Sequence, residues 1–157
     1  MSTYAQQMQK IFAQYEKEVT SEPANLRVVG RWAMKKKLWQ PHEENILAQF
    51  ANDMANALRE EYRTDSNGRR YRSKHAVRDI ENGKQISFWA DIDKAPRSHM
   101  ERAFSQRRKQ IVGDCYQLKN DVDHFNEKRG EEPIQIVLDF TDDVEEMLFI
   151  DGLKQTA

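Results

Sequence analysis

Cysteine is nearly missing from this chain of 157 residues: Cys115 stands alone, so no intrachain disulfide can form. Long apolar runs are missing too. No stretch of about 20 apolar residues occurs, which excludes a membrane-spanning helix. The start Met1-Ser2-Thr3-Tyr4 does not have the basic-then-apolar order of a secretory signal. A cytoplasmic protein is therefore expected. Histidine is sparse and scattered: His42, His75, His99 and His124 form no H-x-x-x-H pair, and Asp121, Asp123 and His124 have no further ligand at a known metal-binding spacing. No glycine-rich phosphate loop, nucleophile elbow or Cys-His signature appears. These absences lead to the expectation of a non-enzymatic protein with no metal and no cofactor.

What is present is charge. The apolar fraction is 38% and the charged fraction 32%, a balance that suits amphipathic helices around a thin core better than a thick sandwich. The net charge of -1 conceals a segregation. Subtracting the eight acids and one base beyond Gly130 from totals of 26 and 25 leaves 18 acids and 24 bases in residues 1–130. A basic body thus precedes an acidic end, and such a body meets nucleic acid or an acidic protein surface.

The longest ordered stretch is Pro96 to Lys128. Proline is tolerated in a first helical turn and glycine favours the residue after the last, so Pro96 and Gly130 bracket one helix. Phe104, Ile111, Leu118 and Phe125 recur at every seventh position, with Cys115 and Val122 three residues before the last two, which is the spacing of a helical seam. Such a helix is roughly 50 Å long, whereas a compact chain of this size has a radius of gyration of about 15 Å. The excess length together with the seam leads to the expectation of a homodimer.

Upstream, Tyr4, Met8, Ile11, Phe12, Tyr15 and Val19 share one face of a first helix. Asn25 caps a second, whose inward side carries Val28 or Val29, Trp32, Ala33 and Leu38, and Lys35, Lys36 and Lys37 face outward from its last turn. A third helix from Pro41 is expected to bury Ile46, Leu47, Phe50, Met54 and Leu58. Then the period changes. Asp65-Ser66-Asn67-Gly68 is a turn signal between Tyr62-Arg63-Thr64 and Arg69-Arg70-Tyr71-Arg72, and Asn82-Gly83 is another before Gln85 to Trp89, so residues 62–90 read as two or three short strands. Past the long helix, Ile134 to Phe140 is expected as a buried strand, and Thr141 as the cap of a short acidic helix ending near Gly152.

The fold class expected is therefore α+β and mainly helical, a single domain over 1–157. Three helices and a small basic hairpin (1–92) precede one long helix (96–129), then a short strand and acidic helix (131–157). Three helices followed by a basic hairpin is the order of a winged helix. Arg63, Arg69, Arg70, Arg72, Lys74 and Arg78 lie on and beside the hairpin, interleaved with Tyr62 and Tyr71, the composition of a phosphate-contacting element. With Lys35, Lys36 and Lys37 these are the candidate nucleic-acid contacts, DNA before RNA, of a regulatory or accessory protein. The alternative is a protein-interaction module or a homodimer built on the long helix.

One short motif points to a partner of another kind. Gln135-Ile136-Val137-Leu138-Asp139-Phe140 has the form Gln-x-x-Leu-x-Phe and resembles the peptide by which bacterial replication and repair proteins dock on the sliding clamp. That resemblance implies an anchoring Gln135, with Leu138 and Phe140 entering an apolar pocket of the partner.

Overall fold

A computed structural model describes residues 1–156. Five helices and two small antiparallel hairpins follow one another along the chain, in two packed units, Met1–Met54 and Ala55–Ala157.

In the first unit, α1 (Tyr4–Glu18) opens with a capping box: the Gln6 N–H donates to Thr3 Oγ1, and the Thr3 N–H to Gln6 Oε1. Asn25 caps α2 (Leu26–Lys35) by accepting from the Arg27 N–H at 2.9 Å. The two helices meet at a small core of Tyr15, Val29 and Ala33, with Trp32 edge-on to Tyr15 at 5.4 Å. The Trp39 indole donates to the Tyr4 hydroxyl. α3 (Glu43–Arg59) runs from this unit into the next. Its apolar stripe is not buried as the spacing led one to expect, since Ile46, Leu47, Phe50 and Met54 are all exposed. Helical periodicity identifies an apolar face but does not provide the surface that covers it.

The second unit holds the sheets. β1 (Tyr62–Thr64) pairs with β2 (Arg70–Arg72) across a turn in which Asp65 Oδ1 accepts from the N–H groups of Asn67 and Arg69. β3 (Lys74–Glu81) pairs with β4 (Lys84–Asp91) across Asn82-Gly83, both at positive φ as a type I′ turn requires. The fully buried Ser73 joins the hairpins: its N–H and hydroxyl both donate to the Glu61 carbonyl, and its own carbonyl accepts from the Ile92 N–H. α4 (Arg97–Arg129) packs on β3. Val77, Met100 and Ala103 form that core, together with His75, whose ring meets Phe104 edge-on at 5.4 Å.

Two side-chain amides tie α4 to extended backbone. Gln106 Oε1 accepts from the Arg78 N–H while its Nε2 donates to the Arg78 carbonyl. Twenty residues on, Asn126 does the same to both backbone groups of Ile134, each at 2.9 Å. This second grip replaces the strand expected at the C-terminus. Residues 133–140 join no sheet, and Ile134, Val137, Leu138 and Phe140 remain exposed. The run has strand propensity, but the neighbour it meets is a helix, which has no ladder to offer. Here α5 (Thr141–Thr156) begins. Its start is held by Asp139, whose Oδ1 accepts from both the N–H and the hydroxyl of Thr141, rather than by Thr141 itself, and the helix continues through Gly152.

Much apolar surface stays uncovered. The chain exposes 13800 Å². Two separate compact bodies, dividing its mass as the two units do, would expose only about 9,800 Å².

Candidate nucleic-acid interface

The bases that the sequence groups around the hairpin separate into two sets. The first is neutralised within the fold. Arg63 forks onto both carboxylate oxygens of Asp91 and also reaches Asp93 at 2.9 Å. Lys74 Nζ lies 3.1 Å from the same Asp91 and 3.8 Å from Glu61. The Asp91 side chain is only 11% exposed, and the Arg63 guanidinium holds its carboxyl well below the usual carboxylate range. Tyr71 donates its hydroxyl to Asp93. Desolvation first, and that acceptor second, raise the Tyr71 pKa. Arg78 is engaged without being neutralised, its guanidinium donating to the uncharged Gln110 amide. These groups stitch the hairpins to their surroundings.

The second set is free of acid partners. Antiparallel register puts Tyr62 opposite Arg72, and Arg70 two residues back lies with its guanidinium 4.0 Å from the centre of the Tyr62 ring. Arg72 Nε donates to the Tyr62 hydroxyl at 3.4 Å. That bond, followed by the charges of Arg72, Arg70 and Arg107, lowers the Tyr62 pKa. Arg107 arrives from α4. Desolvation first, then repulsion by Arg72, lowers its own pKa. None of Arg70, Arg72 and Arg107 forms a salt bridge among the described residues. Arg69, at the turn, has only the long 3.9 Å approach to Asp65 and is highly exposed. Arg70 and Arg72 thus flank one phenol, Arg107 lies within electrostatic reach of it, and Arg69 stands at the turn, a cluster of planar donor forks beside an aromatic face.

Sequence reasoning did not single out Arg107, which counts only as an outward position of the long helix. Its one local signal is its place in Arg107-Arg108-Lys109. Of the lysines expected as contacts, Lys36 is paired with Glu18 at 2.8 Å and lies over the Trp32 ring, while Lys35 and Lys37 are exposed. All three belong to the first unit. Gln135 is exposed, and Leu138 and Phe140 line a shallow concavity on α4.

The histidines near the cluster are structural. One ring nitrogen of His75 bonds the Arg72 carbonyl, and one of His99 bonds the His75 carbonyl. Burial, then the Arg107 and Arg72 charges, hold the His75 pKa below its usual value, outweighing the bond to the carbonyl. Below about pH 6.5 the unfolded chain takes up a proton that the folded one resists. Stability of the second unit is therefore full above that pH and falls as pH drops toward the folded pKa. Melting curves between pH 5 and 8 check this, and His75→Gln should make the acid-side decline shallower. An equal decline would assign it to other groups.

Among the described residues no cluster of His, Cys, Asp and Glu is suited to hold a metal ion, and no helix is long and apolar enough to cross a membrane. Comparison with models of protein families, with curated proteins and with solved structures gives no match.

Proposed function

We propose that this is a non-enzymatic nucleic-acid-binding protein, regulatory or accessory in role, that contacts phosphates through Arg69, Arg70 and Arg72 of the first hairpin and Arg107 of α4. DNA is the preferred target over RNA. The observation that carries this reading is that Arg70 and Arg72 meet on Tyr62, with Arg107 in electrostatic reach, and none of the three has a carboxylate partner, while the neighbouring Arg63 and Lys74 are matched by acids. Uncompensated guanidiniums repel one another, and a polyanion relieves that repulsion. The exposed Tyr62 ring adds a stacking face for an unpaired base. Three helices before a basic hairpin, the winged-helix order, support the same assignment.

The test is fluorescence anisotropy with labelled duplex and single-stranded oligonucleotides across a salt series. Four phosphate contacts give a slope of log K against log salt of roughly -3 to -4 on duplex DNA. No binding at low salt, or a flat slope, would overturn the reading.

A second reading rests on a separate observation: the Gln135 to Phe140 stretch lies outside helix and sheet and is mostly exposed, the state a docking peptide needs. Here Gln135, Leu138 and Phe140 engage a bacterial sliding clamp. Calorimetric titration of the full chain into a clamp should show binding that Leu138→Ala with Phe140→Ala removes, and no heat with the unmodified chain would discard it.

A further inference from the structure

A concavity of about 570 Å³ lies on α4, floored by Phe104, Ile111, Val112 and Cys115 and rimmed by Arg107 and Arg108. Phe104, Ile111 and Val112 are each about half exposed in it. Arg107 and Arg108 line it, Lys109 adjoins them in sequence, and none of the three has a salt bridge among the described residues. On the same unit, α5 has the opposite character. Its acids Asp142, Asp143, Glu145, Glu146 and Asp151 face one base, Lys154. Every one of its residues from Thr141 to Lys154 is exposed, including Val144, Met147, Leu148 and Ile150. An acidic helix with uncovered apolar side chains and a basic groove with an uncovered apolar floor are complementary in both respects.

We infer that α5 of one copy of this chain docks in the α4 concavity of a second copy, and the second copy returns the contact. The chain's own α5 is poorly placed to fill its own groove. Phe140 is part of the groove wall, and the Val144 N–H already bonds the Phe140 carbonyl, so the helix starts there with no linker in which to reverse. Because donor helix and acceptor groove adjoin on one surface, a two-fold axis beside Phe140 satisfies both at once and closes the assembly at two copies. Arg107 belongs to both this groove and the arginine cluster near Tyr62, so Arg108 of the lining and its sequence neighbour Lys109 serve for the test.

Sedimentation velocity of the full chain from 1 to 100 µM reads the result. The unmodified protein should be dimeric at the upper end and dissociate more readily at high salt. Leu148→Glu, on an exposed side chain, should raise the dissociation constant at least tenfold. Arg108→Glu with Lys109→Glu should do the same, and so should Glu145→Arg with Glu146→Arg. The chain carrying all four charge reversals should recover a large part of the lost affinity, as matched charges do. A monomer at 100 µM would overturn the proposal. So would a dimer indifferent to Leu148→Glu and to the charge reversals, or a four-reversal chain weaker than either double variant.

Discussion

Replacing Arg70, Arg72 and Arg107 together with alanine should weaken duplex DNA binding by roughly 10²- to 10³-fold at 50 mM salt and flatten the salt slope by about 2.7, or 0.9 for each lost phosphate contact. The loss should be similar across unrelated sequences, since phosphate contacts carry no base information. The paired set provides the comparison. Lys74→Ala removes as much formal charge per residue, yet this side chain is already committed to Asp91 and Glu61. It should leave the slope within a few tenths of the unmodified value. Arg70 and Arg72 also stabilise one another's surroundings through Tyr62, so circular dichroism must show an unchanged fold before the affinities are compared. Equal slopes for the free-set triple variant and the unmodified protein would remove the cluster from the interface, whatever the affinities.

The second large effect is on stability. Met100→Ala should destabilise the second unit by about 2–5 kcal/mol, the usual range for truncating a buried Met, Leu or Ile. Met100 is 8% exposed and shares its core with Val77 and Ala103, which are smaller and cannot swing in to fill the space. The core between β3 and α4 is thin, and a typical domain has only about 5–15 kcal/mol in total, so this one change removes a large share. Urea titration measures the shift, and amide exchange locates it: the amides of β3 and of the first turns of α4 should lose protection. A midpoint within error of the unmodified protein would mean that the core lies elsewhere.

Local chemistry made some of this legible in the sequence. Asn25, Asp65 to Gly68, Asn82-Gly83, and the Pro96 and Gly130 brackets each act through the backbone within a few residues, so their elements appear where the letters put them. β3 is harder to see because Ser73 just before it and His75 on its inward face read as polar, which leaves Val77 as the apolar signal. Their burial depends on hydrogen bonds to Glu61 and Arg72 carbonyls that composition does not display. The α3 stripe and the Ile134 to Phe140 run show the opposite case: an apolar pattern marks a face, while the surface that would cover it is not in the same chain segment. The candidate site was half visible. Proximity in the sequence groups the basic residues, but Asp91, which lies 28 positions from Arg63, decides which of the hairpin bases are paired, and Arg107 comes from another element altogether.

The grip of Gln106 on Arg78 bears on how this chain survives in company. Arg78 turns its N–H and carbonyl away from β4, toward the side of the hairpin where a further strand could add. An open edge of that kind invites pairing with other unfolded or misfolded chains, the first step toward aggregates. One primary amide from α4 fills both hydrogen-bonding positions there, acting as a strand a single residue long. Since an amide gains and loses no proton between acid and base, the stopper holds at any pH at which α4 itself stays in place.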